Sequence, residues 1–174
     1  MHFKLGKDDE AFRNGLRAWL ARHWQEDWAK MRRRFPSQDE MFVFLREWQR
    51  RLFDAGYVGL SWPREYGGAG ATITQQAIFY EEIARARAPE LPNVIGLDMA
   101  GPALITHGTE AQKQTHLRRI LSGEQIFCQG FSEPNAGSDL AALQTRAVRE
   151  DGGFVINGQK VWTTYAQYAD WCIL

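Results

Sequence analysis

Leu121-Ser122-Gly123-Glu124-Gln125-Ile126-Phe127-Cys128-Gln129-Gly130-Phe131 is the stretch on which the fold turns. Up to Gly123 apolar residues recur at helical spacing. After it the period changes, and residues 126–131 read as a strand. Upstream, the capping box Thr109-Glu110-Ala111-Gln112 opens a helix through Leu117, Ile120 and Leu121 that stops at Gly123. Before that, a helical stretch is expected near 97–105, ended by Gly108. A second capping box, Thr72-Ile73-Thr74-Gln75, opens a helix through Ala77, Ile78 and Ile83, and Pro89 and Pro92 break the chain after it.

Further toward the N-terminus, a helix runs from near Asp39 through Phe42, Leu45, Trp48 and Leu52, with Gly56 as its C-cap. The first helix, capped by Asp8 or Asp9, carries Phe12, Leu16, Trp19, Leu20, His23 and Trp24 and runs into the basic residues Lys30, Arg32, Arg33 and Arg34 before Pro36. Those cations suit the negative end of a helix dipole better than they suit a phosphate site. The glycine-rich segment Trp62-Pro63-Arg64-Glu65-Tyr66-Gly67-Gly68-Ala69-Gly70 lacks both the Lys-Ser/Thr ending and the preceding strand of a phosphate-binding loop, so it reads as a connector.

Downstream, Ala147-Val148-Arg149 is a further strand, and Asp151-Gly152 and Asn157-Gly158 are tight-turn signals. Residues 160–165 are rich in β-branched and aromatic side chains, and residues 171–174 begin one more apolar strand. The predicted fold is α+β. An all-α helical domain (1–123) is followed by an incomplete antiparallel β-domain (124–174), and truncation is the simplest explanation of that shape. The β portion is expected to be loose, since it has exposed edges and little sheet to pair with.

Composition narrows the function. With 21 basic and 21 acidic residues the formal net charge is zero, which argues against a generic nucleic-acid binder or a protein held on anionic membrane by charge. The N-terminus has no apolar core of a secretory signal, and no apolar run approaches the roughly 20 residues of a membrane span. Cys128 and Cys172 are expected to be buried free thiols rather than a disulfide, which fits a cytoplasmic location. The four histidines show no ligand spacing, so no metal site is expected. His107 reads as a helix-end residue, Asp139 as a turn-stabilising acceptor, and Glu81 and Glu82 as a solvated helix face.

Two segments carry a family resemblance. Gln129-Gly130-Phe131-Ser132-Glu133-Pro134-Asn135-Ala136-Gly137-Ser138-Asp139-Leu140 and Ile156-Asn157-Gly158-Gln159-Lys160-Val161-Trp162-Thr163-Thr164 resemble the two signatures of the acyl-CoA dehydrogenases. Gly56-Tyr57-Val58-Gly59-Leu60, Trp62-Pro63, Tyr66-Gly67-Gly68, Gly101-Pro102 and His107-Gly108-Thr109-Glu110 fit the same pattern, in order, over essentially the whole chain. One departure is Asn135, where the family usually has Gly; Asn tolerates a positive φ. Another is Gln129, where an aromatic residue often faces the flavin.

The resemblance implies FAD as cofactor. It places Gln129, Phe131 and Ser132 along the flavin, Gly137 and Ser138 at its pyrophosphate, and Trp162, Thr163 and Thr164 around the ring, with the Thr164 hydroxyl near N5. Ser138 would also meet the acyl-CoA substrate. On a strand, Trp162 and Thr164 would share one face. Read without the resemblance, Trp162 is a core aromatic and residues 137–139 an ordinary turn. The implied reaction is α,β-dehydrogenation of an acyl-CoA thioester to a trans-2-enoyl-CoA, with electrons passing through FAD to an electron-transferring flavoprotein. The implied base is a Glu beyond Leu174, so no catalytic residue is assigned in this sequence, and the whole protein is expected to be a homo- or hetero-oligomer. Two alternatives stay open: a non-catalytic partner subunit of a heteromeric acyl-CoA dehydrogenase, or a fragment of a related acyl-CoA oxidase or flavin monooxygenase.

Overall fold

A computed structural model describes residues 5–174; the first four residues, part of the segment read as lacking a secretory signal, lie outside the described residues. The chain divides into two compact units, Met1–Glu124 and Gln125–Leu174. The first is all helical: α1 Lys7–His23, α2 Trp28–Met31, α3 Gln38–Asp54, α4 Ile73–Arg85, α5 Gly101–His107 and α6 Glu110–Ser122. α1 packs on α4, and α6 on α3 and α5.

Both expected capping boxes form, with Thr72 and Thr109 each accepting from the backbone N–H three residues on. Gly123 ends α6 in the left-handed region, φ 74°. The long first helix does not form as one piece. Its N-cap is Gly6 rather than Asp8 or Asp9, and it ends at Trp24, whose backbone is extended. Asp27 interrupts it, because a short carboxylate favours an N-cap over a helix interior: its side chain accepts from Lys30 N and starts α2. The break lets Trp24 and Trp28 pack on Phe44, with ring centroids 6.2 and 5.9 Å away. Trp48, 1% exposed, sits at the centre of this aromatic core and donates its indole N–H to Pro89 O at 3.0 Å.

The stretch expected near 97–105 is helical, but its first turn, Gly96–Ala100, is a π-helix. The Gly101 amide reaches back to Gly96 O, which skips Leu97 O. Continuing the π register would need an amide at residue 102, and that residue is Pro. The freed carbonyl is taken by Trp62, whose indole N–H donates to Leu97 O at 2.9 Å. A side chain on Gly101 would overlap that indole ring, so close approach requires glycine there.

Glu81 and Glu82 are not a common solvated face. Glu82 is 2% exposed and is gripped by Arg17 through two hydrogen bonds of 2.9 and 2.6 Å, while half-exposed Glu81 pairs with Arg13. The hydrogen bond from Arg17 holds the Glu82 carboxyl below its usual range, against the effect of burial.

The second unit contains β1 Phe127–Gln129, β2 Arg146–Glu150, β3 Gly153–Asn157 and β4 Trp171–Ile173. β2 and β3 form the expected antiparallel hairpin, closed at Asp151-Gly152 with Gly152 at φ 88°. β1 and β4, by contrast, pair in parallel. Asn157-Gly158 is no hairpin turn: a side chain on Gly158 would overlap Thr145, so its glycine serves close packing. No helix among the described residues is long and apolar enough to cross a membrane.

Candidate functional site

The site residues named from sequence lie in the second unit, on two loops that meet. The chain leaves β1 after Gln129, whose strand partner is Ile173, and passes through Gly130, Phe131 and Ser132. It then folds into a tight turn, with Glu133 N donating to Ala136 O at 2.8 Å and Ala136 N to Glu133 O at 3.1 Å. Pro134 presets the turn, and Asn135 occupies it without a positive φ, so the missing glycine has no backbone consequence.

Glu133 is the buried hub of the site. Its carboxylate accepts from Gln144 N at 2.7 Å, from Thr145 N at 2.9 Å and from Lys160 Nζ at 2.8 Å. The Lys160 ammonium, with the Thr145 and Gln144 donors, holds its carboxyl down to about 2. Lys160 Nζ also donates to Phe131 O at 3.0 Å, and the next residue, Val161, donates its amide to Ser132 O at 2.9 Å. Adjacent residues of one loop therefore hold adjacent carbonyls of the other. Glu133 and Lys160 both lie within the signatures, but 27 positions of separation say nothing about contact, so the sequence assigns neither a role.

Residues 160–165 are not a strand, so Trp162 and Thr164 do not share a strand face. Trp162 and Tyr165 both have φ 58°, the left-handed region, which an extended strand cannot contain. Trp162 is not a core aromatic either: it is 91% exposed and presents a bare indole. Beside it, the Ser132 N–H and hydroxyl and the Thr163 and Thr164 hydroxyls have no partner among the described residues. Gly137 and Ser138 lie on the exposed turn that follows, where a side chain at Gly137 would meet nothing. The structure joins Phe131 and Ser132 to the Trp162 loop and leaves Gly137 and Ser138 without a hydrogen bond to it among the described residues. Asp139 precedes a short 3-10 turn, and its side chain makes no capping bond.

The sequence matches the family description "Acyl-CoA dehydrogenase, N-terminal domain" over residues 6–124 and "Acyl-CoA dehydrogenase, middle domain" over residues 128–174. The chain belongs to the acyl-CoA dehydrogenase family. It is 42% identical over 170 residues to the acyl-CoA dehydrogenase IpdE1 of Mycobacterium tuberculosis, covering 97% of this chain and 44% of that protein. Among solved structures, the ChsE4-ChsE5 complex from Mycobacterium tuberculosis matches with TM-score 0.82 and 36% identity, over 100% of this chain and 43% of that one. The Tcur3481-Tcur3483 steroid ACAD matches with TM-score 0.80 and 37% identity, over 100% and 44%. This acyl-CoA dehydrogenase chain thus spans less than half the length of the relatives it matches.

The family is FAD-dependent, and the donor set of these loops fits a flavin. A flavin ring needs a flat apolar surface and hydrogen-bond donors along its N1, O2, N5 and O4 edge. The exposed Trp162 indole is a surface of the first kind, and the unpaired Ser132 and Thr164 groups are donors of the second. In the helical unit, an apolar recess of about 220 Å³ opens between Leu52, Phe79, Ile83 and Leu97, with Tyr80 and Asp98 among its lining residues. Burial raises the Asp98 carboxyl above its ordinary value. Among the described residues no group of three or more His, Cys, Asp or Glu could hold a metal.

Proposed function

We propose that this chain supplies the helical and flavin-edge portion of an FAD-dependent acyl-CoA dehydrogenase. The observation that carries the reading is the lacing of the two signature loops by Lys160 and Val161, which sets unpaired donors beside an exposed indole. In this reading Gln129, Phe131 and Ser132 face the ring edge and Trp162, Thr163 and Thr164 flank it. Gly137 and Ser138 meet the pyrophosphate, and Ser138 also meets the thioester chain. FAD, when bound, supplies the hydride acceptor for conversion of an acyl-CoA to a trans-2-enoyl-CoA.

Glu133 is not the base. Its carboxyl is held ionised to about 2 by Lys160 and two amides, far below the range useful for proton abstraction near neutral pH. In this reading the base is a Glu outside this chain, which is inactive alone, and the complete enzyme is an oligomer of the cytoplasm that passes electrons to an electron-transferring flavoprotein.

A second reading makes the chain one member of a heteromeric pair. One solved relative named above is described as the ChsE4-ChsE5 complex, and the other as the Tcur3481-Tcur3483 steroid ACAD, which favours a steroid thioester as substrate. Flavin titration followed by acyl-CoA addition tests both. The expected result is FAD binding, no substrate-dependent bleaching by the chain alone, and bleaching once a chain carrying the implied catalytic Glu is added. No FAD binding in either arrangement overturns the proposal.

A further inference from the structure

Cys128 and Cys172 are 44 residues apart in sequence, yet the parallel β1–β4 register sets them directly opposite each other. Both are free thiols, Cys128 buried and Cys172 exposed rather than buried as expected. Neighbouring strands stand about 4.7–4.9 Å apart, inside the Cα separation of about 4.4–6.8 Å that a disulfide spans.

The side chains also face the same way. Gly130, just past the end of β1 and still bonded to Ile173 O, is two residues on from Cys128 and on the same side, and the Cys172 sulfur lies over it, 3.1 Å from where a side chain there would begin. That glycine leaves the sulfur room to swing toward Cys128. Burial, and then contact with Cys172, push the Cys128 thiol up to about 11, which fits two sulfurs sharing one small space.

We propose that Cys128 and Cys172 form a dithiol–disulfide site across the β1–β4 pair, oxidised by a low-molecular-weight disulfide. The accessible Cys172 thiolate attacks one sulfur of the small disulfide, forming a mixed disulfide and releasing one thiol. Cys128, having lost its proton to solvent, then attacks the Cys172 sulfur, forming the internal bond and releasing the second thiol. Two protein thiols are oxidised and one small disulfide is reduced to two thiols. The closed bond ties β1, and with it Gln129 and the start of the Phe131-Ser132 loop, to β4. The chemistry does not depend on flavin binding.

The test is intact-mass analysis of the purified chain after exposure to oxidised glutathione, with and without later thiol reductant. The expected product is a monomer lighter by about 2 Da, the mass of two hydrogens, unreactive to alkylation and restored by reductant. Cys128→Ser should instead stop at a stable glutathione adduct on Cys172. A wild-type chain that keeps the glutathione adduct, remains fully alkylatable or links into disulfide dimers overturns the proposal.

Discussion

Lys160 and Glu133 form an ion pair of 2.8 Å with side chains only 15% and 6% exposed, and the pair joins the two loops that carry the family's signatures. Each partner is satisfied elsewhere as well: Glu133 by two amides, Lys160 by the Phe131 carbonyl. A buried pair with such support costs most when one member is removed, because the other is left charged and unpaired.

The pair predicts a pH dependence. Lys160 and the amides lower the Glu133 carboxyl from an ordinary 4.5 to about 2. A depressed carboxyl stabilises the fold above its unfolded-state value, and that contribution is lost as pH falls from about 4.5 toward 2. Thermal unfolding across this window should show the β unit losing stability. Glu133→Gln should be less stable at pH 7 and should flatten the slope. An unchanged slope would mean that other carboxylates control the acid transition.

The reasons some features were legible in sequence are local ones. Both capping boxes, the Gly123 stop and the Asp151-Gly152 turn formed where expected, because each depends on residues within one turn of chain. Misread features depended on distant partners. The first helix breaks where Asp27 caps a new one and its tryptophans find Phe44. Glu82 looked solvated until α1 brought Arg17 to it. In the site, the signature residues were recognisable, but not the irregular backbone from Lys160 to Tyr165, where tertiary hydrogen bonds override strong β propensity. The Glu133–Lys160 hub was invisible for the same reason.

Gln49 is fully buried and binds three backbone groups: Nε2 donates to Ile120 O and Leu121 O, and Oε1 accepts from Asn93 N. It thereby binds Leu121 O at the end of α6 and adds to Ile120 O, which also accepts from the Gly123 cap amide and from Asn93 Nδ2. Gln49→Ala should leave a cavity and strip Leu121 O and Asn93 N of their bonds to Gln49, costing about 2–4 kcal/mol. Urea unfolding followed by tryptophan fluorescence measures this as a lower midpoint with unchanged slope.

Trp62→Phe keeps the ring but removes the donor to Leu97 O, the carbonyl that the π turn leaves free. A buried carbonyl without a partner costs about 1–3 kcal/mol. The thermal midpoint should fall accordingly, while the far-ultraviolet circular dichroism stays helical. Loss of helical signal would show that the indole bond is needed to form the segment rather than to stabilise it.

The β unit should be unevenly protected. Every residue of β2 and β3 is exposed, including Phe154 at 63%. The Glu133 hub and the start of β1, in contrast, are buried. Hydrogen exchange should therefore be fast through residues 146–157 and slower at Gln144, Thr145 and Val161, whose amides are held by Glu133 and Ser132. Uniform protection from residue 126 to 174 would contradict this picture.

Trp162 gives the sharpest test of the flavin reading. Its indole is 91% exposed on a left-handed backbone, so it contributes little to the fold and is free to receive a ring. Trp162→Ala should leave the unfolding midpoint nearly unchanged while weakening FAD binding about tenfold, the effect of losing one aromatic face of about 1.4 kcal/mol. Trp162→Phe should recover most of the affinity. If Trp162→Ala lowers stability but not flavin affinity, the indole has a packing role and the ring lies elsewhere. If both stay unchanged, the exposed face meets another part of the assembled protein.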